Sequence, residues 1–257
     1  MKAAILAGGF GTRLQEKTID VPKPMVEIGG LPILWHIMKL YSHYGINEFV
    51  IALGYKGHVI KEFFLNYRYR TNSMRINLRE GDVNILNNEA DDWNIHLLET
   101  GLTTMTGGRV KQICQYIGNE PFLLTYGDGV ANVDLNELIS FHRQHGRLAT
   151  VTAVRPVARF GEITFEGEQV AKFEEKPQIG SGWINGGFFI LEPGVSDYIE
   201  GDETIFERQP LTQMANDGQL MAYRHQGFWQ CMDTVRDVNL LNALWEKNEA
   251  AWKVWDE

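Results

Sequence analysis

The strongest constraint on this chain lies in Ala3-Ala4-Ile5-Leu6-Ala7-Gly8-Gly9-Phe10-Gly11-Thr12-Arg13-Leu14, followed by Val21-Pro22-Lys23-Pro24-Met25. An apolar run of strand length breaks into three glycines within four residues, and glycine lets a backbone turn sharply and bring its N–H groups up to a ligand. A bare strand-to-helix turn would also use glycines. The flanking residues add charge: Arg13 offers a forked, permanent donor, and Pro22 and Pro24 hold Lys23 on an extended segment from which its ammonium reaches inward. The stretch reads as a triphosphate clamp, with Leu6, Ala7, Gly8, Gly9, Gly11, Thr12, Arg13 and Lys23 as its nucleotide-binding positions.

Two better-known glycine motifs do not fit. A P-loop needs Gly-Lys-Ser/Thr, and Gly11 is followed by Thr12-Arg13; a dinucleotide fingerprint needs glycine where Leu14 stands.

The alternation of elements gives the fold class. A helix opens at Leu31-Pro32 and stops at Gly45, Glu48 to Leu53 is a strand, and His58 to Tyr67 is a second helix. Residues 68–99 change to short polar strands (Met74–Leu78, Val83–Leu86, Ile95–Leu98), a β insertion. Gly107 to Tyr116 is helical, Phe122 to Tyr126 is a buried strand, and Asp134 caps a helix to His145. Ala149–Val154, a hairpin of Ile163–Phe165 with Val170–Phe173, Phe188–Leu191 and Leu220–Tyr223 follow as strands, with late helices over Thr204–Asn216 and Thr234–Asn248. The expectation is one α/β domain over residues 1–257: a Rossmann-like, doubly wound mixed sheet flanked by helices, with a small β insertion.

Composition narrows the function. A net charge of −9 argues against a nucleic-acid surface, which needs clustered Lys and Arg over a wide face, but not against a few cations converging on one small anion. No run approaches the roughly 18 apolar residues of a membrane span, so a soluble, cytoplasmic protein with no membrane partner is expected. Cys114 and Cys231 have no metal-ligand spacing and read as reduced thiols. His142 and His145 share a helix face with no third ligand signalled and read as a solvated face; Trp245, Trp252 and Trp255 read as tail packing.

Asp128, in Gly127-Asp128-Gly129 at the carboxyl end of a buried strand, is either a turn residue or a ligand to a hard cation such as Mg²⁺. Asp233 precedes the last long helix and is either its N-cap or a second ligand. Lys176, in Glu174-Glu175-Lys176-Pro177, is by itself a solvated charge, and Asn185-Gly186 by itself a glycine bulge.

The string Leu6 to Leu14, Pro22-Lys23-Pro24-Met25 and Gly29-Gly30-Leu31-Pro32-Ile33-Leu34 resembles the signature of the sugar-1-phosphate nucleotidylyltransferases, and the resemblance covers nearly the whole chain. It implies that Asp128 and Asp233 hold Mg²⁺, that Lys176 meets the sugar phosphate and Glu175 the sugar hydroxyls, that Asn185 and Gly186 approach the sugar, and that the protein is a homo-oligomer. Arg13, Lys23, Asp128 and Asp233 are then the catalytic set. Where the thymidylyl- and uridylyl-transferring branches carry Gln-Pro-x-Gly-Leu-Ala, this chain has Thr100 to Arg109. That departure, with Gly-Tyr-Lys-Gly at 54–57 and Phe228-Trp229-Gln230, is similar to the cytidylyl-transferring branch and implies CTP and glucose 1-phosphate as substrates. Base reading is expected at Thr104 and Arg109, because an arginine fork can serve the adjacent N3 and O2 acceptors of cytosine but meets the N3–H of uracil head-on. A nucleotide-sugar glycosyltransferase, the alternative class, is expected to show Asp-x-Asp, and Asp128-Gly129-Val130 does not.

Overall fold

The computed structural model describes residues 1–87, 89–156, 162–174 and 182–256, with the backbone alone at 13, 15, 16, 162–165 and 172–174. A central sheet contains β1 (Ala3–Leu6), β2 (Glu48–Leu53), β3 (Asn94–Glu99), β4 (Phe122–Tyr126), β5 (Ala149–Val154), β6 (Phe189–Leu191) and β7 (Leu220–Arg224). β1 lies between β2 and β4 and runs parallel to both, and β3 continues outward beside β2. On the other side β4 pairs antiparallel with β6, β6 antiparallel with β5, and β5 parallel with β7. A short strand, Ile184–Asn185, pairs antiparallel with β5 beyond β6. The sheet is mixed, as expected, with β6 and this short strand running against the rest.

The chain winds from β1 through β2 to β3 in one direction and then returns to place β4 on the opposite flank of β1. The order of strands therefore reverses between β1 and β4, and open α/β sheets bind ligands in the crevice beyond the carboxyl ends at such a point. β1 is buried on both faces: Ala3 and Ile5 enter one core, Ala4 and Leu6 the other. The first core is covered by α1 (Ile33–His43), α2 (Gly57–Leu65), α4 (Leu135–His145) and α6 (Val235–Glu246), the second by α3 (Thr106–Ile117) and α5 (Gln209–Asn216).

Local chemistry sets the ends. Asp134 Oδ1 accepts from the N–H groups of Asn136 and Glu137 at 2.8 and 3.0 Å, the cap expected for α4. At α6 the cap is Thr234, closed by Asp237 into a capping box, so Asp233 stands just outside the helix and is not its N-cap.

Three expectations change. Residues 95–98 are not part of the insertion but lie in β3, an edge strand of the main sheet; its half-buried alternation looks in sequence like a hairpin strand. The insertion proper is the hairpin Met74–Asn77 with Asp82–Ile85. The helix expected from Thr204 begins only at Gln209, because residues 202–204 dock on the start of α3 instead: Asp202 and Thr204 carbonyls accept from Met105 and Gly107 N–H at 2.8 Å each. A Cβ at Gly107 would stand 2.6 Å from the Thr204 oxygen, so that contact requires glycine there. His142 is buried rather than solvated, its Nδ1 2.8 Å from Thr150 Oγ1.

The tryptophans pack the tail within the chain. Trp245, Trp252 and Trp255 surround His36, whose Nε2 donates to Ile28 O at 2.8 Å while Nδ1 accepts from Trp252 at 3.4 Å. Burial pushes this imidazole down from 6.5 to about 4, against carbonyl bonds that pull it up. Between those values the unfolded chain binds the proton and the folded chain does not, so stability falls as pH drops, by about 2 kcal/mol at pH 5 from this group alone. Urea unfolding at pH 7 and pH 5 should show that difference shrink by about this amount in His36→Gln; an unchanged difference assigns the slope to other groups.

Candidate active site

The crevice at the β1/β4 reversal is a cleft of ≈ 810 Å³. Its floor is the loop that leaves β1. Ala7 N–H donates to Ala52 O at 3.0 Å, and Gly127 N–H donates to Leu6 O at 3.0 Å, so the ends of β1, β2 and β4 are tied together where the loop begins. Gly11 has φ +64°, the left-handed conformation that favours glycine, and its carbonyl accepts from Leu14 N–H at 2.9 Å and Thr18 Oγ1 at 3.2 Å. Leu6, Ala7, Gly8, Gly9, Gly11 and Thr12 all line the cleft. Arg13 lies in the 3-10 turn Thr12–Leu14 that closes this loop.

Lys23, Asp128 and Asp233 meet at the centre, from three distant parts of the sequence. Lys23 Nζ donates to Asp128 Oδ2 at 2.5 Å and to Asp233 Oδ1 at 2.6 Å. Asp128 is carried by the turn after β4, Asp233 by the segment after the short strand Trp229–Cys231, which pairs with Gly129–Ala131 and so brings the two aspartates side by side. Burial pushes the Lys23 amine down, but the two carboxylates outweigh it and hold its pKa above the ordinary value. Two carboxylates converging on one small cation are a donor set that suits a hard divalent ion, which takes one or two carboxylates and completes its shell with water and substrate phosphates. Among the described residues no group of three or more His, Cys, Asp or Glu side chains gathers as a metal cage. Cys231 lines the same cleft, and burial beside Asp233 and Asp128 pushes its thiol up to about 11, which keeps it protonated.

Thr104 and Arg109 also line the cleft, both buried. Arg109 is 4% exposed and its guanidinium is largely committed to the protein: Nη1 donates to Leu53 O at 2.7 Å and Thr100 Oγ1 at 2.5 Å, and Nη2 to Gly8 O at 3.2 Å. It lies against Gly8 and Gly54; a Cβ at Gly54 would be 2.7 Å from Nη1, and one at Gly8 would overlap the guanidinium itself. Among the described residues the Nε–H and one Nη2–H keep no protein partner. Arg109 thus ties the glycine loop after β1 to the end of β2 and to Thr100, a role that local sequence gave no sign of.

Asn185 lines the cleft as well, and Gly186 is buried beside it with its carbonyl accepting from Trp229 Nε1 at 2.8 Å. Glu175 and Lys176 lie outside the described residues, as does any statement about the Arg13 side chain. Several cleft residues are not among those expected from the sequence, Trp229 and Tyr126 among them. Trp229 sits in the Phe228-Trp229-Gln230 segment that carried a resemblance but no role, and Tyr126 directly precedes Gly127-Asp128 on β4, which was signal enough to include it.

The family model described as nucleotidyl transferase matches residues 2–253. The chain is 51% identical over 257 residues to the glucose-1-phosphate cytidylyltransferases of Salmonella typhi and Salmonella typhimurium strain LT2, with 100% of each chain covered in both cases. Among solved structures, HddC from Yersinia pseudotuberculosis superposes with a TM-score of 0.70 at 23% identity, over 95% of this chain and 99% of that one. Apo UDP-glucose pyrophosphorylase superposes with 0.68 at 16%, over 96% and 99%. The two structures speak for the fold; the full-length sequence matches go further, and the chain belongs to the nucleotidyl transferase family.

Proposed function

We infer that the protein transfers the cytidylyl group of CTP to glucose 1-phosphate, giving CDP-glucose and pyrophosphate. The observation that carries this reading is the 51% identity, over the whole length, to glucose-1-phosphate cytidylyltransferases. The phosphate oxygen of a sugar 1-phosphate attacks the α-phosphorus of CTP in line, and the bond from that phosphorus to the departing pyrophosphate breaks. No general base is needed, because the second pKa of a phosphate monoester is about 6 and the nucleophile is largely ionised at neutral pH. The work left to the protein is alignment and charge screening.

In this reading the glycine-loop N–H groups, Arg13 and Lys23 hold the triphosphate. Asp128 and Asp233 would hold Mg²⁺, which when bound neutralises phosphate charge at the reacting centre. Lys176 meets the incoming phosphate, Glu175 and Asn185 the sugar hydroxyls, and Thr104 and Arg109 the base. Both substrates are small, soluble phosphates, and the cytoplasm is where we place the reaction; among the described residues no helix is long and apolar enough to cross a membrane. A matrix of CTP, UTP, dTTP and GTP against several sugar 1-phosphates, read by pyrophosphate release, should peak at CTP with glucose 1-phosphate. A peak at dTTP or UTP would overturn the reading.

We also propose a homo-oligomer in which the hairpin of residues 74–85 makes a subunit contact. In its register Met74 opposes Ile85 and Ile76 opposes Val83, so alternation gathers these four on one face, and Leu78 follows in the turn. Ile76, Leu78 and Val83 are 53, 92 and 48% exposed, an apolar hairpin surface that natural sheets seldom leave open. Light scattering should give a smaller particle for Ile76→Asp/Val83→Asp than for the unaltered chain; equal sizes would remove the hairpin from the contact.

A further inference from the structure

Behind the cleft, Glu207 holds two of its lining hydroxyls with one carboxylate. Oε1 accepts from the Tyr126 hydroxyl at 2.7 Å and Oε2 from Thr106 Oγ1 at 2.6 Å. Tyr126 ends β4, two residues before Asp128, and its oxygen also accepts from Asn185 Nδ2 at 3.1 Å. Thr106 begins α3, directly after the Thr104-Met105 wall, and its oxygen also accepts from Phe206 N–H at 2.9 Å. Tyr126, Asn185 and Thr106 line the cleft.

The direction of every proton in this chain is fixed by its neighbours. Asn185 Oδ1 accepts from Gly187 N–H at 2.8 Å, which orients the amide so that Nδ2 faces Tyr126. The Tyr126 proton must then point to Glu207. The Thr106 oxygen receives a backbone N–H, so its proton also points to Glu207. Two donors converge on one residue, and only a group that accepts at both oxygens satisfies them; an ionised carboxylate does, and an amide of the same shape does not.

We propose that Glu207 is a positioning residue that holds the sugar end of the cleft (Asn185, through Tyr126) and the nucleotide end (the Thr104–Thr106 wall, through Thr106) in one fixed separation. The proposal rests on the assignment of those two ends made above. A second consequence concerns Asn185: with one Nδ2–H given to Tyr126, it has one N–H left to offer the sugar as a donor. The reaction joins two substrates bound at these two ends, so their spacing sets how well nucleophile and α-phosphorus are aligned.

The test is steady-state kinetics on the full-length protein, varying each substrate in turn. Glu207→Gln keeps the size but puts a donor where one hydroxyl needs an acceptor, and it should lower kcat/KM for both CTP and glucose 1-phosphate by about tenfold. Tyr126→Phe should raise KM for glucose 1-phosphate alone, and Thr106→Val KM for CTP alone. Adding Tyr126→Phe to Glu207→Gln should leave the glucose 1-phosphate KM where Glu207→Gln put it, because the hydroxyl through which Glu207 acts is already misdirected. If Glu207→Gln does not fold, Glu207→Asp serves: it keeps the charge but reaches one hydroxyl, and one KM should rise while the other stays. The proposal is overturned if Glu207 variants melt at lower temperature with both KM values unchanged, or if the Glu207 and Tyr126 effects add in full. A wild-type protein that prefers another substrate pair, with the same coupling between its two KM values, would instead count against the substrate reading and leave the positioning role standing.

Discussion

Asp128→Asn and Asp233→Asn should each give a folded protein whose kcat is lower by a factor on the order of 10² to 10⁴. The fold should survive because each change removes only one of the two negative charges beside Lys23 Nζ; the ammonium, 2.5 Å from Asp128 and 2.6 Å from Asp233, keeps the other carboxylate. Asp128 follows β4 in a turn whose backbone is tied to β1 and to Met232, and these bonds do not involve its carboxylate. The rate falls for a different reason. Two phosphate-bearing anions must approach within bonding distance, and an amide of the same shape would supply no negative charge to hold a divalent ion at the reacting centre. Pyrophosphate release and a melting curve on each variant separate the two effects, and EDTA should abolish activity of the unaltered protein. Full rate in either variant, or in EDTA, would end the two-aspartate assignment.

Local chemistry made part of this site legible in advance. An apolar run ending in glycines has few structural meanings, so β1 and its loop were read at their correct places, as were Asp128 at a strand end and Asp134 as a cap. The ambiguity at Asp233 was real in sequence, since Asp and Thr both cap helices; Thr234 with Asp237 resolves it. What stayed hidden depends on contacts between distant residues. β3 is recognisable only by its pairing with β2, and the stretch from Thr204 fails to be helical because its carbonyls serve α3, about 100 residues earlier. Glu207 carries no local signal, since a glutamate near a helix start is ordinary until Tyr126 and Thr106 are seen to converge on it. Arg109 was found for its donors, but that three of its bonds go to Gly8, Leu53 and Thr100 could not be read from a helix pattern.

Those bonds sharpen the expectation for base selectivity. With both Nη1 hydrogens and one Nη2 hydrogen spent on the protein, the donors left to Arg109 are Nε–H and the remaining Nη2–H. They suit adjacent acceptors, which cytosine offers at N3 and O2, while uracil places an N3–H against them. A buried donor left facing a donor costs roughly 1–3 kcal/mol, more when charge is involved, which corresponds to a ten- to hundredfold preference for CTP over UTP in kcat/KM. Arg109→Ala should collapse that ratio toward one. It should also lower kcat/KM for both nucleotides, because the carbonyls of Gly8 and Leu53 each lose one of their donors and the phosphate loop loses its side-chain tie to the wall that carries Thr104. The two contributions separate in the data: the ratio reports the base, and the common loss reports the loop. If Arg109→Ala slows CTP and UTP equally and the ratio survives, Arg109 is a staple of the phosphate loop and the base is read by other groups in the Thr100–Thr106 wall.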